Sequence, residues 1–449
     1  MKYLYQYTLI TLMTFLSCSK DLDLLPYQSL DESVAINSDA NVKVVLNGAY
    51  DAIAEGDFLG GNVLRNAELL GGDDEVVWVG TYTGPRDIFN KKMVKTNTDA
   101  EDCWLKAYKV INITNNVLSA LSVVNEADRS KVEGEAKFLR ALTYFELVRF
   151  YAQTYISGTN NAQNGVPLVL TPTKIIDGNS NVSRSSVDAV YKQIIADLNS
   201  AKDLLPEENE WRASKGAATA LLARVSLQMS DFEKARDYAN EVITSKVYSL
   251  VKNYADIFGR DENSSEDIFA IQVSSQDGVN YMNTFFSVPD FGGRDGDIEI
   301  LPAHLSLYAA DDDRLALFFI GNDAMRSGKW NNQYGNISII RLAEMYLIRA
   351  EANFRLNSAV GATPTEDINT IAQRAKQDAI STVTLNDILL ERRKELAHEG
   401  FKIHDMKRNM LDVGNLPFND PKLVFLLFHL EKHKLIQIYN KMMAVINPI

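Results

Sequence analysis

The sequence predicts a mostly α-helical chain, a scaffold of helical pairs that carries long irregular loop inserts and a few short strands. Three observations predict it. Apolar residues recur at i, i+3, i+4 and i+7 in one segment after another, the spacing that lays a stripe along one face of a helix. Two such segments are separated only by Ser230-Asp231, a break short enough to force an antiparallel helical hairpin. The other helices are separated by inserts rich in Gly, Asn and Asp at 55–86, 157–183, 248–330 and 357–364, most of them far longer than the usual connection of about 4–6 residues, which marks them as binding surface more than linkage.

From the N-terminus, Lys2 is followed by the mostly apolar run Tyr3 to Leu16, too short for a bilayer-spanning helix of about 20 residues. It reads as an export signal over 1–17. The run ends Phe15-Leu16-Ser17-Cys18, which resembles a bacterial lipobox: a small residue before cysteine permits cleavage, and the new N-terminal Cys18 is acylated as a lipid anchor. An N-terminal core helix with an incidental cysteine is the alternative. The acidic stretch that follows, Ser19-Lys-Asp-Leu-Asp-Leu-Leu-Pro26, is similar to the surface-export signals of Bacteroidota lipoproteins, so the expected location is the outer membrane, facing outward. No later apolar run reaches 18 residues, so nothing else is expected to span a membrane. Cys103 is then a small buried residue beside Trp104.

Helices are predicted at 102–121 and 131–151. At 186–205 the stripe is Val187, Val190, Tyr191, Ile194, Ile195, Leu198 and Ala201, with Ser185 or Ser186 as the cap and Pro206 after the end. In the hairpin 217–229 and 232–245, Leu221, Leu222, Val225 and Met229 face Phe232, Ala235, Ala239, Val242 and Ile243. Its contact alanines and its turn Asp231-Phe-Glu-Lys-Ala235 make this pair resemble a tetratricopeptide unit, although no 34-residue period recurs. The longest insert holds a strand-like run at 268–273. Helices at 339–356, 366–376 and 385–398 complete the scaffold.

Composition narrows the function. The chain has 449 residues, 46% hydrophobic and 23% charged, within the ordinary globular range. Its 46 basic residues against 59 acidic ones give a charge of −13 with no basic cluster, so nucleic acid is not an expected partner. Two cysteines and five histidines leave no room for a disulfide framework or a Cys/His zinc module.

Six co-linear blocks carry a family resemblance. They are Ala136-Lys-Phe-Leu-Arg-Ala-Leu-Thr-Tyr-Phe-Glu-Leu-Val-Arg-Phe-Tyr151; Gly165-Val-Pro-Leu-Val-Leu170; Val190-Tyr-Lys-Gln-Ile-Ile-Ala-Asp-Leu198 with Leu205-Pro206; Ala220-Leu-Leu-Ala-Arg-Val225; Ile340-Arg-Leu-Ala-Glu-Met-Tyr-Leu-Ile-Arg-Ala-Glu351; and Glu391-Arg-Arg-Lys-Glu-Leu-Ala-His-Glu-Gly-Phe401 with Asp405-Met-Lys-Arg408. With the lipobox they make the chain from Cys18 to about Phe425 resemble the SusD/RagB family of outer-membrane nutrient-binding lipoproteins. The resemblance implies a single domain over 18–449 with four tetratricopeptide-like helical pairs. It further implies packing on a SusC-like TonB-dependent transporter, an irregular face that captures a nutrient, most often a glycan, and lid-like closure over the transporter. After Phe425 the pattern departs: 426–449 is apolar and basic where the family has a Phe-Pro-Ile-Pro-like segment and an Asn-rich ending, and an altered reading frame would account for it. Within the family blocks, Glu344 and Glu351 are expected to pair with Arg341 and Arg349, and the alternating charges of Glu391 to Glu395 to form a solvated or inter-helix ion-pair network.

Proteins bind sugars by stacking aromatic rings on C–H faces and by bonding hydroxyl pairs with planar polar groups. In the first insert this points to Trp78 and Tyr82, with Arg65, Asp73 and Asp74 nearby, where the family often builds part of its ligand face; Trp78 fits core packing equally well. In the longest insert Tyr281, Phe291 and Arg294 form a second group, with Phe285 and Phe286 assigned to the core, and Trp330 could contact ligand or pack on the scaffold. No catalytic residue, metal or cofactor is assigned. Asp73, Asp74 and Glu75 are adjacent, whereas a glycosidase needs two carboxylates facing each other about 5–10 Å apart. Asp311-Asp-Asp313 and Asp295-Gly-Asp297 do not fit a twelve-residue calcium loop, and His429-Leu-Glu-Lys-His433 misplaces the glutamate of a zinc helix. The rival readings are a tetratricopeptide-type scaffold that binds proteins and a surface glycan hydrolase.

Overall fold

A computed structural model describes residues 36–173, 182–276 and 278–425; the export signal, Cys18 and the segment 426–449 with its two histidines lie outside the described residues. In chain order the elements are α1 (Asp39–Ala54), α2 (Asn62–Gly71), β1 (Val76–Trp78), α3 (Thr83–Phe89), α4 (Thr98–Ser119), α5 (Glu126–Tyr151), α6 (Val187–Leu204), α7 (Lys215–Gln228) and α8 (Phe232–Ser245). They continue with β2 (Asp267–Ile271), α9 (Tyr281–Phe286), β3 (Ile298–Ile300), α10 (Pro302–Leu305), β4 (Phe318–Gly321), β5 (Ala324–Ser327) and β6 (Ile337–Arg341). The last helices are α11 (Leu342–Arg355), α12 (Pro364–Arg374), α13 (Leu385–Glu395) and α14 (Lys402–Arg408).

The scaffold is a row of neighbouring helices in which α1 packs on α4, α4 on α5, α5 on α6, α6 on α7, α7 on α8 and α8 on α11. The predicted hairpin forms as expected. Ser230 takes a positive φ of 58°, which turns the chain, and the Asp231 carboxylate accepts the Lys234 N–H at 3.3 Å to start α8. Ser186 starts α6 in the same way, accepting the Ala189 N–H at 3.1 Å. Among the described residues no helix is long and apolar enough to cross a membrane. Cys103 is buried in the core, as the sequence suggests.

Three features differ from the sequence expectation. The first insert is not irregular: it holds α2 and α3, and α2 escapes the stripe rule because all ten of its residues are buried, so it has no polar face. Residues 339–341 belong to β6 rather than to a helix, because the β-branched run Ile337-Ser-Ile-Ile340 pairs antiparallel with β2. Glu344 and Glu351 do not pair with Arg341 and Arg349 along their own helix; the pair formed within α11 is Arg355 with Glu351 at 2.9 Å, and the other charges reach across to neighbouring elements. Arg224 of α7 forks onto Glu344 at 2.8 and 2.6 Å, Arg408 of α14 onto Glu351 at 2.7 and 2.8 Å, and Arg349 onto Asp367 of α12 at 3.0 and 2.6 Å. Arg341 meets Glu266, Glu395 and Glu399 at 2.5–2.8 Å. Since α11 is buried on nearly every side, its charges must reach neighbouring elements to be satisfied. Burial pushes the Glu351 carboxyl up, but the guanidinium groups of Arg408, Arg355 and Arg392 together hold it below the usual range.

Glu391 and Glu395 sit in an inter-helix network rather than a solvated face: both meet the buried Arg314, which Asp312 also forks at 2.9 and 2.7 Å. Asp312 caps the turn at Arg314, so the acidic run 311–313 serves structure, and no group of metal-ligating side chains occurs among the described residues. The capping box at the start of α13 gives a modest test. Thr384 accepts the Asp387 N–H at 3.3 Å and Asp387 returns a bond to the Thr384 N–H at 2.8 Å, so Thr384→Ala is expected to cost about 1 kcal/mol in urea denaturation.

Candidate functional site

Two inserts far apart in sequence are joined by strand pairing. β1 runs antiparallel to β3, with Val76 opposite Ile300 and Trp78 opposite Ile298, so the turn after β1 comes beside the loop before β3. This brings Tyr82 next to Arg294, whose guanidinium carbon lies 4.2 Å from the centre of the tyrosine ring. Arg294 is held there by Asp297 at 3.1 Å and by the Thr81 hydroxyl at 3.2 Å.

The pivot of the site is Phe285 in α9. Around its ring stand Trp78 at 5.8 Å, Tyr281 at 5.9 Å and Tyr82 at 6.1 Å, the two tyrosines edge-on, while the Arg65 guanidinium covers one face at 4.3 Å. Asn280 caps α9 by accepting the Met282 N–H at 2.8 Å, and the Tyr281 N–H donates to the Gly60 carbonyl at 3.0 Å. Tyr281 lies directly on the backbone of the first insert: a Cβ on Gly56 would meet its ring at 2.6 Å, so only glycine fits beneath it.

Of the residues singled out from sequence, five meet in this one cluster: Arg65, Trp78, Tyr82, Tyr281 and Arg294. They divide by depth. Tyr82 is 50% exposed, Tyr281 is half-buried and Arg294 reaches the surface, so these three present polar tips and ring faces outward. Trp78 and Arg65 are 5% and 1% exposed and correct the expectation that they touch ligand directly: Trp78 sits in the core beneath Phe285, and Arg65 is ion-paired to Asp99 and stacked on Phe285. Both support the cluster from below.

The other expected residues lie elsewhere. Asp73 pairs with Lys91, and Asp74 is exposed close enough to Lys402 for their charges to interact. Trp330 is buried, its Nε1–H donating to the His398 carbonyl at 3.2 Å, so scaffold packing is its role rather than ligand contact. Phe291 is 42% exposed but pairs edge-on with Phe319 of β4 at 5.4 Å, outside the Phe285 cluster. Phe285 and Phe286 are buried, as the sequence suggests.

Two carboxylates that the sequence does not mark lie near one another, Asp57 close to Tyr281 and Asp102 close to Asp57. Asp57 accepts the Asn62 amide at 3.2 Å, and burial raises its carboxyl above the ordinary value. Asp102, at the start of α4, is pushed up to about 6 by burial and then by the neighbouring Asp57, Asp99 and Glu101. A carboxyl titrating there can both accept and donate hydrogen bonds to hydroxyls at moderately acid pH.

Residues 20–227 match a family described as "Starch-binding associating with outer membrane", and residues 318–442 match the SusD family, a match that continues past Phe425. A "SusD-like protein P2" of Formosa agariphila is 27% identical over 91% of this chain and 91% of its own length. The "Starch-binding protein SusD" of Bacteroides thetaiotaomicron is 25% identical over 66% of this chain and 67% of its own. A crystal structure of a SusD superfamily protein from Bacteroides thetaiotaomicron superposes with a TM-score of 0.76 at 25% identity, covering 89% of this chain and 93% of that one.

Proposed function

The chain belongs to the SusD/RagB family, and from that premise we propose that it captures a glycan at the cell surface on the outer edge of the Phe285 cluster, without cleaving it, and delivers it to a SusC-like TonB-dependent transporter. The observation that carries this reading is the convergence of Tyr82, Tyr281 and Arg294 from two distant inserts onto one exposed edge. Two tyrosines offer ring faces for the C–H side of a sugar, and the Arg294 fork, pinned by Asp297, offers donors to neighbouring hydroxyls. The buried Trp78, Phe285 and Arg65 fix these groups before ligand arrives, which lowers the ordering cost of binding. The description of the matched family and the name of the SusD relative, both given to starch binding, agree with a carbohydrate ligand. Acylated Cys18 would hold the protein at the outer membrane.

Native affinity electrophoresis of the chain from Ser19 onward, in gels containing a panel of polysaccharides, tests the reading. Retardation by at least one glycan, weakened in Tyr82→Ala and in Arg294→Ala, is expected. The same mixtures are assayed for new reducing ends, because Asp102 has the raised carboxyl of a general acid. Release of reducing ends would establish a hydrolase. Absence of retardation by every glycan would leave a non-glycan nutrient or a protein-binding scaffold in its place.

A further inference from the structure

A cleft of about 1280 Å³ opens beside Tyr281, lined by α1, by β2 and by the segment before α9. We infer that this cleft, whose walls include both Tyr281 and Trp211, is a second binding groove for an uncharged oligosaccharide. It adds to the site proposed above and shares only Tyr281 with it.

The volume exceeds the range of about 300–1,000 Å³ usual for one small molecule, so it suits a chain of sugar units rather than a single one. Aromatic rings stand in the cleft walls. Tyr281 is fixed against Gly56, and Trp211 is 37% exposed while held edge-on by Tyr50 at 5.2 Å and by the Arg212 guanidinium at 4.8 Å. Trp211 is the most exposed tryptophan of the described chain, in a place where burial would otherwise be favoured, and it faces a cleft rather than bulk water alone.

The walls also supply hydrogen-bond acceptors. Glu55 receives the ammonium groups of Lys106 and Lys109, and Asp57, among the described residues, the Asn62 amide, so each carboxylate keeps lone pairs for hydroxyl donors. The charge pattern sets the class of ligand. Asp51, Glu55 and Asp57 line the cleft against one basic side chain, Lys109, whose ammonium is already on Glu55 at 2.7 Å. Among the described residues that line the cleft, a uronate or sulfate would meet more carboxylates than cations, whereas neutral hydroxyls meet the acceptors they need.

Tryptophan fluorescence of the chain from Ser19 onward, titrated with neutral hexasaccharides of the malto-, cello-, xylo-, manno- and laminari- series and with hexagalacturonate, tests this. At least one neutral hexasaccharide is expected to change the emission, Trp211→Phe to remove that change, and Trp211→Ala to weaken binding at least tenfold by calorimetry. Hexagalacturonate is expected to bind at least tenfold more weakly than that neutral probe. Tyr82→Ala separates the two sites: it weakens binding at the Phe285 edge and leaves the Trp211 signal in place. The inference is overturned if no neutral probe changes the emission, if Trp211→Phe keeps the change, or if hexagalacturonate binds as well. It is also overturned if the signal appears only after residues 19–35 are removed, which would make the chain's own N-terminal segment the occupant. Loss of polysaccharide retardation in Tyr82→Ala with an unaffected Trp211→Ala would sink the groove while keeping the Phe285 site.

Discussion

Replacing Glu68 with alanine will cost about 3–5 kcal/mol of folding stability, the range for breaking a buried charge pair. Glu68 is fully buried in α2, and its Oε1 accepts the backbone N–H groups of Gly400, Phe401 and Lys402 at 3.1, 3.0 and 3.3 Å. These are donors at the start of α14, which have no partner within the helix. The other oxygen, Oε2, accepts from Arg393 of α13 at 3.1 Å. One carboxylate thus ties α2, α13 and α14 together, and removing it leaves three donors and a guanidinium short of partners in the interior. Urea denaturation followed by circular dichroism should show the loss, and Glu68→Gln should lose less, because an amide oxygen can still take the three N–H groups. A shift under 1 kcal/mol in Glu68→Ala would mean that water or rearrangement satisfies these groups.

Stability will also fall steeply below about pH 6.5, because His304, His398 and His404 are buried in the neutral form. Burial, then the Arg393 guanidinium, pushes His304 down to about 3. Its Nδ1 lies 2.7 Å from Glu75, a geometry that would ordinarily favour a charged ring, yet Glu75 already receives Arg393 and Lys402. The neutral ring can therefore donate from Nδ1 to Glu75, while Nε2 lies 3.2 Å from the Tyr308 hydroxyl. Among the described residues His398 has no hydrogen-bond partner for either ring nitrogen, and it stands near His304 at 4.7 Å; burial and then His304 hold it well below the ordinary value. His404 is lowered in the same way by burial and then by Arg149. The unfolded chain takes up these protons near pH 6.5 while the folded one refuses them. The stabilisation is therefore full above that pH and is lost as pH falls, at about 1.4 kcal/mol per histidine per pH unit, or about 4 kcal/mol for three. Asp102, raised to about 6, works in the opposite sense and offsets about one of the three between pH 6 and 4. Melting temperatures at pH 7.5, 6.5 and 5.5 should drop with growing steepness, and less so in His398→Phe. A flat profile between pH 6.5 and 5.5 would contradict this account.

The scaffold was legible where a helix has one apolar face and a recognisable cap, as in α6 with Ser186 and α8 with Asp231. It was not legible in α2, where every residue is buried and the pattern therefore has no period. The buried charges were readable as residue types but not as pairs. Arg224 and Glu344 are 120 positions apart, and only the packing of α7 against α11 brings them together. The same limit applies to the site. Tyr82 and Arg294 each stand out as polar-tipped residues in long inserts, yet their meeting depends on the register of β1 with β3, two strands of three residues that carry almost no sequence signal. Phe285 read correctly as core and is for that reason the pivot of the cluster. Trp211 was missed because it stands alone in the acidic loop Glu207-Glu-Asn-Glu-Trp211, with no other aromatic residue nearby in sequence to mark it.

The central claim is that glycan capture runs through the exposed edge of Tyr82, Tyr281 and Arg294. Its most direct measurement is calorimetric titration of an oligosaccharide, cut from whichever polysaccharide retards the wild-type chain, into wild type, Tyr82→Ala and Phe291→Ala. The account predicts that Tyr82→Ala weakens binding at least tenfold, about 1.4 kcal/mol, while Phe291→Ala, which lies outside the cluster, changes it by less than twofold. Wild-type affinity in Tyr82→Ala, with the loss falling on Phe291→Ala instead, would contradict it and place the ligand on the β4 side of the loop face.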